Sequence, residues 1–151
     1  MLGMMTGDRL AVDNPAALPL DAMVASGVKD QPDIHAMASR DSHSVAVLVS
    51  HYHDSGKPGP PASIALALAG LPPGRLQVQH FRVDQECSNS YELWKKMGSP
   101  AQPDAAQYSA LERAGQLQSL ESPRWTAAAG GRLDLRFSLP RHGVSLVRVT
   151  W

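Results

Sequence analysis

The stretch His80-Phe81-Arg82-Val83-Asp84-Gln85-Glu86-Cys87-Ser88-Asn89-Ser90-Tyr91-Glu92-Leu93-Trp94-Lys95-Lys96-Met97-Gly98-Ser99-Pro100 decides how this chain is read. It enters as a strand, Leu76 to Val83, and leaves any period-two pattern at Asp84. A polar run follows from Asp84 to Ser90, and then an aromatic patch at Tyr91 and Trp94. Long irregular insertions between strands are uncommon unless they are disordered or functional. A disordered linker does not carry Tyr91, Leu93, Trp94 and Met97 so close together. The loop is therefore expected to be ordered and packed against something.

Working outward, the flanking segments read as strands. Ile34, Ala36 and Ala38 alternate with more polar neighbours. Ser44 to His53 is apolar on both faces around Val45 to Val49, as a central strand would be. Ile64, Leu66 and Leu68 alternate cleanly, and so do Leu133, Leu135, Phe137 and Leu139. Arg9 to Val12 and Trp125 to Ala128 are shorter candidates, and Val144 to Trp151 is the last. Two strands change face: Leu76 and Val78 share one side, Phe81 and Val83 the other, which predicts a bulge or sheet change near His80. Val144 and Leu146 oppose Val147, Val149 and Trp151 in the same way. The 12 Gly and 12 Pro punctuate these runs throughout, and Gly130-Gly131 is a hairpin signal. Asp104 to Ala114 is the one clear helix, with Pro103 at its start and Gly115 after it. Residues 16–33 read as loop with a helical turn around Leu20 to Ala25. The expected fold is mainly β: a two-sheet antiparallel β-sandwich of about eight strands, with one short helix and the long ordered loop.

Composition narrows the function classes. The 151 residues carry 14 Lys and Arg against 14 Asp and Glu, with no net charge. That balance argues against nucleic-acid and membrane-surface partners, which select a basic face. A single Cys excludes an internal disulfide and a Cys-rich zinc site. No apolar run approaches the roughly 18 residues of a membrane span. Met1 to Met5 is too short for a signal-peptide core, so no signal peptide is read in this chain and a cytoplasmic location is expected.

Local chemistry is sparse. His51 and His53 share a strand face, and a third metal ligand would have to be His35, His43 or His80. A strand end presenting polar residues to a turn is the simpler reading, so neither metal nor cofactor is expected. Retaining glycoside hydrolysis needs two carboxylates about 5 to 5.5 Å apart. The only glutamates are Glu86, Glu92, Glu112 and Glu121, and loop or helix-surface solvation accounts for them. Cys87 lacks the basic surroundings that lower a thiol pKa. No catalytic residue is assigned. Tyr91 and Trp94 suit either stacking on a sugar ring or packing against a neighbouring domain.

The motif from His80 to Pro100 closely resembles the C-terminal part of glycoside hydrolase family 39 β-xylosidases. The resemblance continues through Gln107-Tyr108, Leu111-Glu112 and Ala114 to Leu117, and through Leu139 to Leu146. Upstream it covers Met4 to Arg9, Ala38 to Asp41, and Tyr52 to Asp54. It implies an accessory β-sandwich over residues 9–151, preceded in residues 1–8 by the remnant of the last helix of a (β/α)8 barrel.

Family members are retaining glycosidases whose barrel carries both catalytic glutamates, the acid/base following an Asn. No Asn-Glu pair occurs here. The resemblance therefore implies a chain inactive alone, partnered by a barrel in cis or trans and possibly by xylo-oligosaccharide. It places Asp84, Glu86, Ser88, Asn89, Tyr91 and Trp94 at the interdomain face or cleft rim. It further implies that the sandwich borrows a strand from the far N-terminus of the parent, leaving an unpaired sheet edge here. Cys87 stands where the family usually has His.

Overall fold

The computed structural model describes residues 1–151. In chain order the elements are β1 (Asp8–Leu10), α1 (Leu20–Ser26), β2 (Asp33–Arg40), β3 (Ser44–Tyr52), β4 (Ala62–Leu68), β5 (Arg75–Val83), α2 (Ser90–Lys96), α3 (Ala105–Gly115), β6 (Gln118–Ser119), β7 (Arg124–Ala127), β8 (Leu133–Leu139) and β9 (Val144–Thr150). A 3-10 turn at Leu2–Met4 precedes β1. The strands form two antiparallel sheets, as expected. The large one runs β1-β2-β3-β9-β5, with β6 and β7 sharing the far edge of β5, and the small one is β4 with β8.

The two sheets meet through the period-two faces read in the sequence. Val45, Val47 and Val49 from β3, Val147 and Val149 from β9, and Leu76 and Val78 from β5 form the inner face of the large sheet. Leu133, Leu135 and Leu139 oppose them from β8, and Leu68 does so from β4. Leu76, Leu139 and Val149 are wholly buried. Each contributes about 1.5 to 3 kcal/mol by leaving water.

Because the small sheet has only two strands, it does not cover the whole inner face. Beside β4 an apolar cleft of about 550 Å³ opens over β1 and β2, lined among others by Leu10, Ile34, Ala36, Ile64 and Leu66. The edge of β4 facing this cleft has no strand paired to it.

Three expectations are corrected. First, no face switch occurs in β5 or β9. Their register runs unbroken from Gln77↔Thr150 to Val83↔Val144. The inner face of β5 continues past Val78 as His80 and Arg82, both buried, so polar residues occupy positions that hydrophobicity alone assigns to solvent. The irregularity lies on the other edge, where β7 pairs Arg75 to Val78 and β6 pairs Phe81 and Arg82 in a shifted register.

Second, the long loop contains a helix, α2. Asn89 caps it by accepting from the Glu92 backbone N–H at 3.1 Å, and Lys95 and Lys96 sit at its C-terminal turn. With α1 the helices number three, and β6 raises the strands to nine. The α3 helix begins after Asp104, whose side chain forms a capping box with Gln107, and it includes Gly115.

Third, Gly130-Gly131 does turn the chain, at φ +58° and +75°, but its arms diverge into different sheets after one bridge between Ala129 and Arg132.

Candidate functional site

Antiparallel register gathers four connections at one end of the sandwich. Asp33 pairs with Tyr52, Ser50 with Val144, and Val144 with Val83. The connection into β2, the loops after β3 and β5, and the turn between β8 and β9 therefore lie together. Most residues singled out from the sequence lie here.

The loop after β5 is held by its own side chains. Asp84 is buried, and its Oδ1 accepts from the backbone N–H groups of Glu86 and Cys87, both at 2.8 Å. Asn89 Nδ2 donates to the Asp84 carbonyl at 2.7 Å. Ser88 has φ +54°, and its hydroxyl accepts from Gln118 N–H at 2.8 Å, tying the loop to β6. Tyr91 and Trp94 stack at 5.7 Å with a 24° interplanar angle. The Trp94 indole N–H donates to Pro100 O at 3.0 Å, and Lys95 Nζ lies 4.9 Å from the Tyr91 ring centre. Asp84, Asn89 and Trp94 thus spend polar groups within the loop, and Ser88 spends its hydroxyl on β6. Glu86 is exposed, and Tyr91 is 60% exposed; those two point outward.

A buried polar cluster lies beneath this loop. His80 Nε2 and Ser145 Oγ are 2.9 Å apart, and Arg82 Nε donates to the same hydroxyl at 3.1 Å. Phe137 of β8 packs edge-on against His80 at 4.7 Å and lies beneath the Arg82 guanidinium at 5.9 Å. Burial, reinforced by the neighbouring Arg82 charge, lowers the His80 pKa to about 4, so the imidazole is neutral near pH 7. Arg82 Nε lies 3.9 Å from Asp84 Oδ2, while its Nη2 is buried without a partner. Burial foremost, with the nearby Asp84 carboxylate, pushes the Cys87 thiol pKa up, which disfavours the nucleophilic thiolate.

The two histidines at the end of β3, His51 within it and His53 just after, do not converge. His51 is buried, its Nδ1 facing Leu139 O at 3.0 Å. His53 Nδ1 accepts from the Ser55 backbone N–H at 2.9 Å. No group of three or more His, Cys, Asp or Glu side chains is placed to hold a metal ion. Sequence reasoning missed the cluster of His80, Arg82 and Ser145. The available signal was parity, since His80 and Arg82 follow Leu76 and Val78 at even spacing.

No protein-family model matches the chain. Its fold is that of part of a glycoside hydrolase of the GH39 kind, which bears out the resemblance read from the motif. Superposed on the GH39 enzyme from Xanthomonas axonopodis pv. citri it gives a TM-score of 0.70 at 17% identity, covering 83% of this chain and 28% of that one. A monomeric β-xylosidase from Caulobacter crescentus gives 0.64 at 20% identity, over 76% of this chain and 26% of that one. In sequence the chain is 30% identical to α-L-iduronidase of Mus musculus over 152 aligned residues, 99% of this chain and 24% of the mouse protein. It thus spans about a quarter of the relatives it matches. These relatives are glycoside hydrolases.

Proposed function

We propose that the chain is the accessory β-sandwich of a retaining glycoside hydrolase, acting on β-1,4-xylosyl residues only when joined to a (β/α)8 barrel. The observation that carries this reading is the extent of the match: nearly the whole chain aligns with about a quarter of a glycoside hydrolase. The loop from Asp84 to Met97 rests against the barrel, with Tyr91 and Glu86 making the contact and Asp84, Ser88, Asn89 and Trp94 keeping the loop in shape. The free edge of β4, beside its apolar cleft, is where a strand from elsewhere in the parent adds to the small sheet. Such additions combine ladder hydrogen bonds with side-chain pockets.

The test uses the chain alone and in complex with its barrel. The chain alone is expected to leave a chromogenic xyloside intact and to bind no xylo-oligosaccharide, whereas the barrel with the chain hydrolyses it. Saturable xylo-oligosaccharide binding by the isolated chain, lost in Trp94→Ala, would instead make it an independent carbohydrate-binding module. The mouse relative favours a second reading of the parent's substrate, an α-L-iduronosyl group. Assaying the joined protein on both glycosides decides between them.

A further inference from the structure

Trp125 stands apart from the loop end. It lies on β7 opposite Gln77 near the start of β5, about 20 Å along that strand from Val83 at some 3.3 Å per residue. Its side chain is 56% exposed, and the Arg75 guanidinium sits 4.5 Å from the ring centre. An exposed indole on a strand, steadied by a cation, has little freedom to lose on binding.

Register shows what surrounds it. Residues paired directly across strands share a face, so Ser44, Thr150, Gln77 and Trp125 form one row on the outer face of the large sheet. Arg9, Ser39, Ala46, Arg148 and Gln79 form the next. Neither row contains an acidic residue; the neighbouring carboxylate, Asp41, accepts from Ser44 Oγ at the β3 end of the first row, away from Trp125. Arg9, Arg75 and Arg148 take part in none of the molecule's salt bridges, although the chain as a whole carries no net charge. Ser39 Oγ and Arg148 Nε flank the small Ala46 side chain, and both are buried without a hydrogen-bond partner. Ser39, Ser44 and Ala46 are buried in the middle of the two rows, so the accessible part of the face is the β9, β5 and β7 side, where Arg148, Arg75 and the Gln77 and Gln79 side chains lie beside the Trp125 platform.

We propose that this face binds an acidic oligosaccharide whose sugar rings carry carboxylates. The apolar side of a pyranose ring stacks on Trp125. Gln77, Gln79 and Thr150 hydrogen-bond ring hydroxyls, while Arg148 and Arg75 offer carboxylates the planar fork of donors that suits them. The positive face selects the acidic sugar over a neutral one. This surface is separate from the Tyr91 and Trp94 loop, at the opposite end of β5.

The experiment titrates tetragalacturonate into the full chain and follows tryptophan fluorescence, with xylotetraose and polyglutamate as comparisons. Saturable binding of the uronate oligomer is expected, at least tenfold weaker in Trp125→Ala, weaker in Arg148→Gln, and weakened by salt. Trp125→Phe, which keeps a ring, is expected to fall between wild type and Trp125→Ala. Gln77→Ala supplies an independent loss if Trp125→Ala does not fold. Three results would overturn the proposal: no saturable binding, equal binding of polyglutamate or xylotetraose, or unchanged affinity in well-folded Trp125→Ala and Gln77→Ala.

Discussion

His80 Nε2 meets Ser145 Oγ at 2.9 Å along a diagonal of the β5–β9 ladder, for His80 pairs directly with Val147 and Ser145 with Arg82. One hydroxyl therefore serves an imidazole and a guanidinium inside the sandwich. Ser145→Ala removes both contacts and leaves the buried Arg82 Nε with only its 3.9 Å approach to Asp84, beside an Nη2 that already lacks a partner. A loss of about 2 kcal/mol is expected, read as a lowered urea midpoint. A change under about 0.5 kcal/mol would mean that the cluster contributes little to folding.

The same cluster makes stability depend on pH. The folded His80 pKa is depressed to about 4 from 6.5. Below pH 6.5 the unfolded chain takes up a proton that the folded one refuses, so stability falls as pH drops from about 6.5 to 4 and this contribution levels off below. The full change is about 3 kcal/mol. Denaturation at a series of pH values checks it, and His80→Gln should remove that part of the slope.

Leu139 is wholly buried between β8 and the large sheet. Leu139→Ala should cost about 2 to 5 kcal/mol, since the sheets cannot close over the cavity. Thermal unfolding provides the measurement. A shift no larger than that of an exposed Ala65→Ser control would contradict a tightly packed inter-sheet core.

The free edge of β4 carries Ser63, Ala65 and Ala67 on its exposed side, with no charge to discourage pairing. The isolated chain is expected to self-associate with rising concentration in sedimentation velocity. Ala65→Lys should suppress this while leaving the circular dichroism spectrum unchanged. Equal association of the two proteins would place the contact elsewhere.

Much of this molecule was legible from periodicity. The alternation of Leu133, Leu135, Phe137 and Leu139 bounds β8 correctly, and the unbroken apolar centre of β3 bounds it to within one residue, at Tyr52 instead of His53. Hydrophobicity failed where burial is satisfied by polar contacts. His80, Arg82 and Ser145 look like solvent-facing residues until the ladder brings them together, and this produced the false face switches in β5 and β9. The α2 helix was obscured because it is only seven residues long and its cap, Asn89, also serves Asp84. The two-residue β6 depends on Phe81 and Arg82 for its existence and carries no pattern of its own. Recognising the motif located the loop, but which of its side chains point outward required coordinates.

The position of β9 governs when this fold can form. Residues 144–150 lie between β3 and β5, so the two halves of the large sheet have no ladder between them until that segment arrives. During synthesis at roughly 5 to 20 residues per second, β2 and β3 emerge long before the strand that joins them to β5. The nascent chain must hold two incomplete sheets, with valines exposed, until then. Such long-range pairing folds slowly, and the interval is when a chaperone or a neighbouring domain has most to shield.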